Sequence, residues 1–294
     1  MNQTFKSYLV TMRIWQWAKN LVVFTLPIGS GLINIDTLYE VTYSFIGISL
    51  LSSSIYIFND IRDISIDSMH PSKKNRPIAS GVIKTSNALI LGICLLLIGL
   101  FILFINEFIA FLLGLTYFIT ALFYTFKLKY ISYIDSITIS TLFILRLLIG
   151  GYSANISPSL FLVMFIFFSS FGLAVSKRIS ILQDDRIQDS SEYLQFLKKY
   201  YDLDKLKLIF KAALVCTFAT YLVWSTTNAD INNLIFADIY LFFSIIGLSI
   251  VFYQIYKLTL EIGLEDFVFS ILQNRKSLIW LIFTFCCLVV RLYF

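Results

Sequence analysis

VTYSFIGISLLSSSIYIFNDIRDISID, residues Val41–Asp67, opens as sequence for a lipid bilayer and closes in a cluster of acids. From Val41 to Phe58 there is no Asp, Glu, Lys or Arg; Asp60, Arg62, Asp63 and Asp67 then follow within eight residues. An apolar run over 41–61 is long enough for a helix to cross ~30 Å of hydrocarbon, which takes ~20 residues. Carboxylates at the mouth of such a span are costly and mark function more often than packing.

Comparable runs recur outward from this one, near 20–34, 86–105, 107–126, 133–153, 159–176, 208–227, 233–256 and 277–293, so about nine spans are expected. The chain of 294 residues is 58% hydrophobic and 14% charged, outside the range of a soluble domain. Strands of a membrane barrel would alternate instead. The expected fold is therefore all-α, a polytopic membrane helical bundle, with one domain over 1–294. The opening MNQTFKSYLVTMRIWQWAKN lacks a continuous apolar core and reads as an amphipathic entry helix rather than a cleaved signal. Cys94, Cys216, Cys286 and Cys287 lie in apolar runs without metal-ligand spacing.

Basic residues fall in alternate connectors. Lys6, Arg13 and Lys19 precede the first expected span, Arg62 to Lys84 follow the second, Lys127 and Lys129 the fourth, and Lys177 to Lys207 the sixth. The intervening connectors carry acids such as Asp36, Glu40, Glu107 and Asp230 but no Lys or Arg. The positive-inside rule puts the N-terminus and the basic loops in the cytoplasm of a cell-membrane protein; an odd number of spans puts Phe294 outside. The surrounding partner is the lipid bilayer; no nucleic acid is called for, and a homo-oligomer is allowed.

The acids at the end of the second span have helical spacing. If the helix runs through Asp67, then Asn59, Asp63 and Asp67 drift only ~40° per step and line one face, with Asp60 beside them. Clustered carboxylates raise one another's pKa unless a cation compensates, and hard oxygen donors suit Mg²⁺, with Mn²⁺ as a substitute, especially when substrate phosphates complete the shell. The following SKKNRP supplies Lys73, Lys74 and Arg76, and Pro77 and Gly81 favour a bend that folds these cations back over the acids. Acids, metal and bases together describe a diphosphate clamp. The plainer alternative is a juxtamembrane loop whose charges pair among themselves and hold lipid headgroups. His70, beside Pro71, reads as a loop hydrogen-bonder rather than a general base.

A second constellation, YTFKLKYISYIDSITIS at Tyr124–Ser140, ends one span with Tyr124, Lys127 and Lys129 and begins the next with Asp135. Arg146 lies eleven residues beyond Asp135, ~20° from eclipsed and ~16 Å along the axis, on the same face but beyond direct contact. Asp135 is expected near the cytosolic site and Arg146 deeper, with Lys177 and Arg178 ending the sixth span. The stretch Lys177–Lys207 has room for a cytosolic helix, and its acids Asp184, Asp185, Asp189 and Glu192 are interleaved with bases.

Asn59–Asp67 resembles the NDxxDxxxD motif of the UbiA superfamily of membrane prenyltransferases. QWAKN at Gln16–Asn20, HPSKKNRPIASG at His70–Gly81, LKYISYID at Leu128–Asp135, Leu145–Arg146 and Lys177–Arg178 are similar to the branch that transfers phosphoribose to decaprenyl phosphate. The resemblance implies helices around a central cavity, with Mg²⁺-bound diphosphate at its cytosolic mouth. It implies 5-phosphoribosyl 1-diphosphate as donor and a polyprenyl phosphate as acceptor. Asn59, Asp63 and Asp67 would hold metal and donor, with Asp60 nearby; Lys19, Lys73, Arg76 and Lys129 would bind phosphates; Asp135 would stand in the second acidic motif. Asp63, Asp67 and Asp135 are thus the expected catalytic acids, and Tyr124, Arg146 and Lys177 complete the expected substrate-binding set.

Three departures stand out. Aromatic prenyltransferases of the superfamily carry a second motif of DxxxD form, but Ile139 stands four residues after Asp135, which favours the phosphoribosyl branch. Ile14 replaces a common proline, and Asn274-Arg275 replaces a common Asp-Arg pair. Two rival readings are a prenyl-diphosphate transferase using the same clamp, and a transporter or lipid scaffold whose acids line an ion path. The second expects acids spread through the membrane depth rather than gathered at the cytosolic ends.

Overall fold

The computed structural model describes residues 3–32, 34–69, 73–183, 192–227, 234–261 and 274–293, and every regular element among them is helical. In chain order these are α1 (Gln3–Met12), a 3-10 segment (Ile14–Phe24), α2 (Thr25–Gly29), α3 (Ile35–Arg62), α4 (Ile64–Met69), α5 (Thr85–Asn106), α6 (Phe108–Phe126), α7 (Ile134–Ser153), α8 (Leu160–Gln183), α9 (Glu192–Tyr200), α10 (Leu203–Thr227), α11 (Leu234–Glu261) and α12 (Arg275–Tyr293), with short 3-10 turns at Lys73–Asn75 and Leu128–Tyr130. Among the described residues, seven helices are long and apolar enough to cross a membrane: α3, α5, α6, α7, α8, α10 and the Ile239–Thr259 part of α11. The protein is a multi-pass helical membrane protein, and these seven among the described residues correspond to seven of the nine spans expected.

The first expected span, 20–34, is the one that departs most. Arg13 takes left-handed backbone (φ 51°) and ends α1, and the chain continues as eleven residues of 3-10 helix. Runs of 3-10 helix this long are uncommon because their hydrogen bonds are poorly aligned, so the segment depends on side chains of α3. Trp17 Nε1 donates to Ser53 Oγ (3.0 Å), Ser53 Oγ to the Met12 carbonyl (2.7 Å) and Asn20 Nδ2 to Ser49 Oγ (3.0 Å). The ninth expected span is present as α12 but stands outside the seven. Its N-terminus explains Asn274: the side-chain oxygen accepts from the backbone N–H of Lys276 (3.1 Å) and Ser277 (3.4 Å), a capping role that Asn and Asp share.

Within the single stretch expected over 1–294, the chain forms two compact units. The first comprises Met1–Pro27, Ile33–Phe126 and Leu145–Ser157; the second comprises Ile28–Leu32, Lys127–Ile144 and Pro158–Phe294. In the first, α3 is the hub. Asn34 and Thr37 start it with reciprocal bonds, a capping box. It then packs on α5 through facing glycines: a Cβ on Gly99 would lie 2.8 Å from the Gly47 carbonyl oxygen, and one on Gly47 3.2 Å from that of Gly99. Such close approach suits helices in lipid, where dispersion and small residues, not water exclusion, drive association. The serines of α3 are also bonded: Ser44 Oγ to Ser153 Oγ (2.5 Å) and Ser54 Oγ to the Gly92 carbonyl (2.8 Å).

In the second unit α8 packs along α10 and α11 along α12. Val175, Ile179, Leu197, Leu206, Phe210, Val251 and Ile255 form its core. Here α9 is the helix expected between Lys177 and Lys207, buried through Leu194 and Leu197; Asp184, Asp185 and Asp189 lie outside the described residues, as do His70 and Asp230.

Candidate active site

The expected helix through Asp67 is interrupted. α3 ends at Arg62, Asp63 adopts φ −91° and ψ 11°, and α4 restarts at Ile64. The turns still follow four-residue bonds, Asp63 N to the Asn59 carbonyl (3.0 Å) and Asp67 N to the Asp63 carbonyl (2.8 Å). The break changes which acids meet. Asp60 and Asp67, rather than Asn59, Asp63 and Asp67, form the buried pair, with side chains 5% and 4% exposed. Asp63, at 23% exposure, lies 3.8 Å from Arg62 Nε. Seven residues bring side chains within ~20° of each other on a helix but ~10 Å apart along it, so the interruption at Asp63 and the reach of Arg76 must close that gap. Arg76 Nη1 donates to Asp60 Oδ1 (3.1 Å) and Asp67 Oδ2 (2.5 Å).

The bent loop expected at Pro77–Gly81 carries Arg76 back to the acids. Ile83 N bonds the Pro77 carbonyl (2.9 Å), Gly81 takes φ 76°, and Ile78 and Ile83 bury against Ile57, Ala88 and Leu95. Lys73 is half-buried and Lys74 exposed on the turn before Arg76. A residue outside the expected set completes the cluster. Arg13 Nη2 donates to Asp60 Oδ1 (2.6 Å), and its guanidinium lies 4.8 Å from the centre of the Tyr56 ring. Arg62 braces the neighbouring turn through Nη1 to the Thr125 carbonyl, with its guanidinium 4.9 Å from the Phe126 ring centre; Tyr124, in the same last turn of α6, is half-buried.

Deeper in the same unit, Arg146 (6% exposed) donates from Nε to Asn20 Oδ1 (2.8 Å) and from Nη2 to Tyr117 Oη (2.7 Å). Ser52 Oγ pairs with Tyr117 Oη at 3.0 Å. A charge at that depth is tolerated because dipoles surround it. Lys19, beside Asn20, thereby sits on a segment fixed from both sides by Trp17 and Asn20.

The second unit holds the other acid. Asp135, 0% exposed, accepts from Arg178 Nε and Nη2 at Oδ2 (both 2.8 Å). Its Oδ1 accepts from Tyr201 Oη (2.7 Å), Ser136 N (2.6 Å) and Ser136 Oγ (3.2 Å). Two carboxylate oxygens offer about four lone-pair sites, so Asp135 is saturated by its own protein. Burial first, then the bond to Asp135, pushes the Tyr201 phenol above its ordinary pKa and keeps it a donor. Lys177 is exposed while its neighbour Arg178 turns inward; Lys129 is half-buried with Nζ 5.7 Å from the Tyr130 ring centre. The eleven-residue stripe on α7 therefore serves two networks, Asp135 with Arg178 and Tyr201, and Arg146 with Asn20 and Tyr117.

A polytopic helical membrane protein with an Asp-rich, Arg-braced turn at the end of a span is the class these observations define. The chain belongs to the UbiA prenyltransferase family, which matches residues 33–262, and it is a transferase of that family. It is 29% identical over 228 residues to decaprenyl-phosphate phosphoribosyltransferase of Mycolicibacterium smegmatis, covering 76% of this chain and 71% of that one. Its fold is similar to a solved digeranylgeranylglyceryl phosphate synthase (TM-score 0.67, 19% identity, 99% of each chain). It is also similar to a UbiA homologue of Archaeoglobus fulgidus bound to GPP and Mg²⁺ (TM-score 0.65, 13% identity, 98% of this chain and 99% of that one). At these identities the two structures speak for the fold.

Proposed function

We propose that this protein transfers 5-phosphoribose from 5-phosphoribosyl 1-diphosphate to a polyprenyl phosphate in the cell membrane and releases diphosphate. The observation that carries this reading over prenyl transfer is the second acid motif: Asp135 is saturated by Arg178, Tyr201 and Ser136, and Ile139 occupies the position where a second carboxylate would stand. The similarity to a decaprenyl-phosphate phosphoribosyltransferase supports it. Asp135 then acts by organising its own unit.

A divalent ion that arrives on the diphosphate is part of this reading. Asn59, Asp63 and Asp67 offer hard oxygens, and Mg²⁺ carried on a diphosphate uses one or two carboxylates rather than a protein cage. When bound, the ion supplies neutralisation of the diphosphate leaving group. Arg76, Lys73 and Lys19 of the first unit bind phosphate oxygens, and their charge stabilises the departing diphosphate as positive character develops at the ribose anomeric carbon. The lipid phosphate is already an anionic nucleophile, so no strong base is required. Orientation follows from charge, with the N-terminus and the Lys73–Arg76 turn in the cytoplasm, where a sugar diphosphate is available.

Purified protein given ribose-labelled phosphoribosyl diphosphate and a polyprenyl phosphate is expected to move label into the lipid phase, and to stop on chelation of divalent ions. Transfer that persists undiminished after exhaustive chelation would remove the metal from this account.

A further inference from the structure

Asp60 is, with Asp67, one of the two buried acids of the first motif, and its Oδ1 is taken up by arginine. A single oxygen, Oδ1, receives both Arg13 Nη2 at 2.6 Å and Arg76 Nη1 at 3.1 Å, and the side chain is 5% exposed. Each guanidinium is a rigid fork of five N–H donors. Asp60 engages one nitrogen of each, Asp67 shares that of Arg76, and the arginine side chains remain 18% and 28% exposed. The two cations come from separate parts of the chain, Arg13 from the break after α1 and Arg76 from the loop after α4. Like charges drawn together in this way need an anion between them, and Asp60 supplies it.

The backbone at Arg13 points the same way. A non-glycine residue at φ 51° is uncommon, and such conformations persist where the surroundings over-determine them, often at functional sites. Here the surroundings are Asp60 and the Tyr56 ring.

Resting on the transferase reading above, we infer that Asp60 is a positioning residue and not a metal ligand, and that it holds Arg13 and Arg76 as a paired guanidinium clamp for the diphosphate of the donor. Arg13 is thereby a diphosphate-binding residue contributed by the entry segment. Fork-shaped donors match phosphate oxygens in pairs, which one lysine cannot do.

The test measures binding of inorganic diphosphate to the detergent-solubilised full chain by calorimetry, across a range of Mn²⁺ concentrations, with size-exclusion and melting profiles confirming folded variants. Asp60→Asn and Arg13→Met are each expected to weaken diphosphate binding about tenfold or more at saturating Mn²⁺, without recovery as Mn²⁺ is raised. Arg13→Lys should recover part of the loss. The double variant Arg13→Met/Asp60→Asn should be little weaker than Asp60→Asn alone, because the contribution of Arg13 already passes through Asp60. Asp63→Asn should instead shift the Mn²⁺ dependence. Recovery of Asp60→Asn at high Mn²⁺ would make Asp60 a metal ligand and overturn the inference, as would wild-type binding by Arg13→Met or fully additive losses. If wild type binds Mn²⁺ and diphosphate with this dependence on Arg13 but moves no ribose label to lipid, the clamp stands and the donor assignment fails.

Discussion

Asp135 shows how one residue can belong to a motif and still be spoken for by its own protein. Five donor contacts from Arg178, Tyr201 and Ser136 hold it, and Tyr133 N in turn donates to Tyr201 Oη at 2.8 Å. Removing one member of a buried ion pair leaves the other charged and unpaired, at a cost of about 3–5 kcal/mol. A lost hydrogen bond to a charged group costs roughly 1.5–3 kcal/mol. Arg178→Met is therefore expected to lower the melting temperature in detergent far more than Tyr201→Phe, with Tyr201→Phe still measurably below wild type. Equal melting for Arg178→Met and wild type would show that the pair does not hold this unit together. Tyr201 had no signal in sequence, since it lies 66 residues from Asp135 and only folding brings them together. Arg178 stood beside Lys177 in a basic pair, and one residue of rotation on α8, ~100°, decides which turns inward.

At the scale of elements, what was legible was what periodicity and hydropathy control. The runs from 86 to 105, 107 to 126 and 133 to 153 became α5, α6 and α7 to within a residue or so at each end, and that from 41 to 61 became α3, which starts six residues earlier at Ile35, because a long uncharged run in lipid must satisfy its backbone internally. The entry segment was not legible. Its 3-10 path rests on bonds from Trp17 and Asn20 to serines of α3, and no local propensity encodes a partner 29 or 36 residues away. The same holds for the break at Asp63, which pairs Asp60 with Asp67 through Arg76. The i, i+4 rule selected Asn59, Asp63 and Asp67, while the nearly eclipsed i, i+7 relation was the available clue to the pair that is buried. Connectors between the elements carry the orientation. In a background without the four native cysteines, Lys74→Cys is expected to react with an impermeant thiol reagent only from the cytosolic face. Glu107→Cys, between α5 and α6, should react only from the opposite face. The reverse pattern would place the Asp-rich turn away from a cytosolic donor.

For the whole molecule, what distinguishes one activity from another is the identity of the transferred group. Family and fold are shared by enzymes acting on different diphosphates, so they leave the donor to be decided by the site. The first unit has Asp60 and Asp67 braced by Arg13 and Arg76, with Asp63 beside Arg62, and on the proposed reading this turn would serve any diphosphate. The second offers one saturated acid and Ile139 where a prenyl-diphosphate site would have another carboxylate. The most direct measurement offers purified protein equal concentrations of phosphoribosyl diphosphate and a prenyl diphosphate, together with a polyprenyl phosphate and an aromatic acceptor, and identifies the products by mass. Polyprenyl phosphate heavier by one phosphoribosyl group is expected as the dominant product, dependent on a divalent ion. A prenylated aromatic product, with no phosphoribosyl lipid, would contradict it.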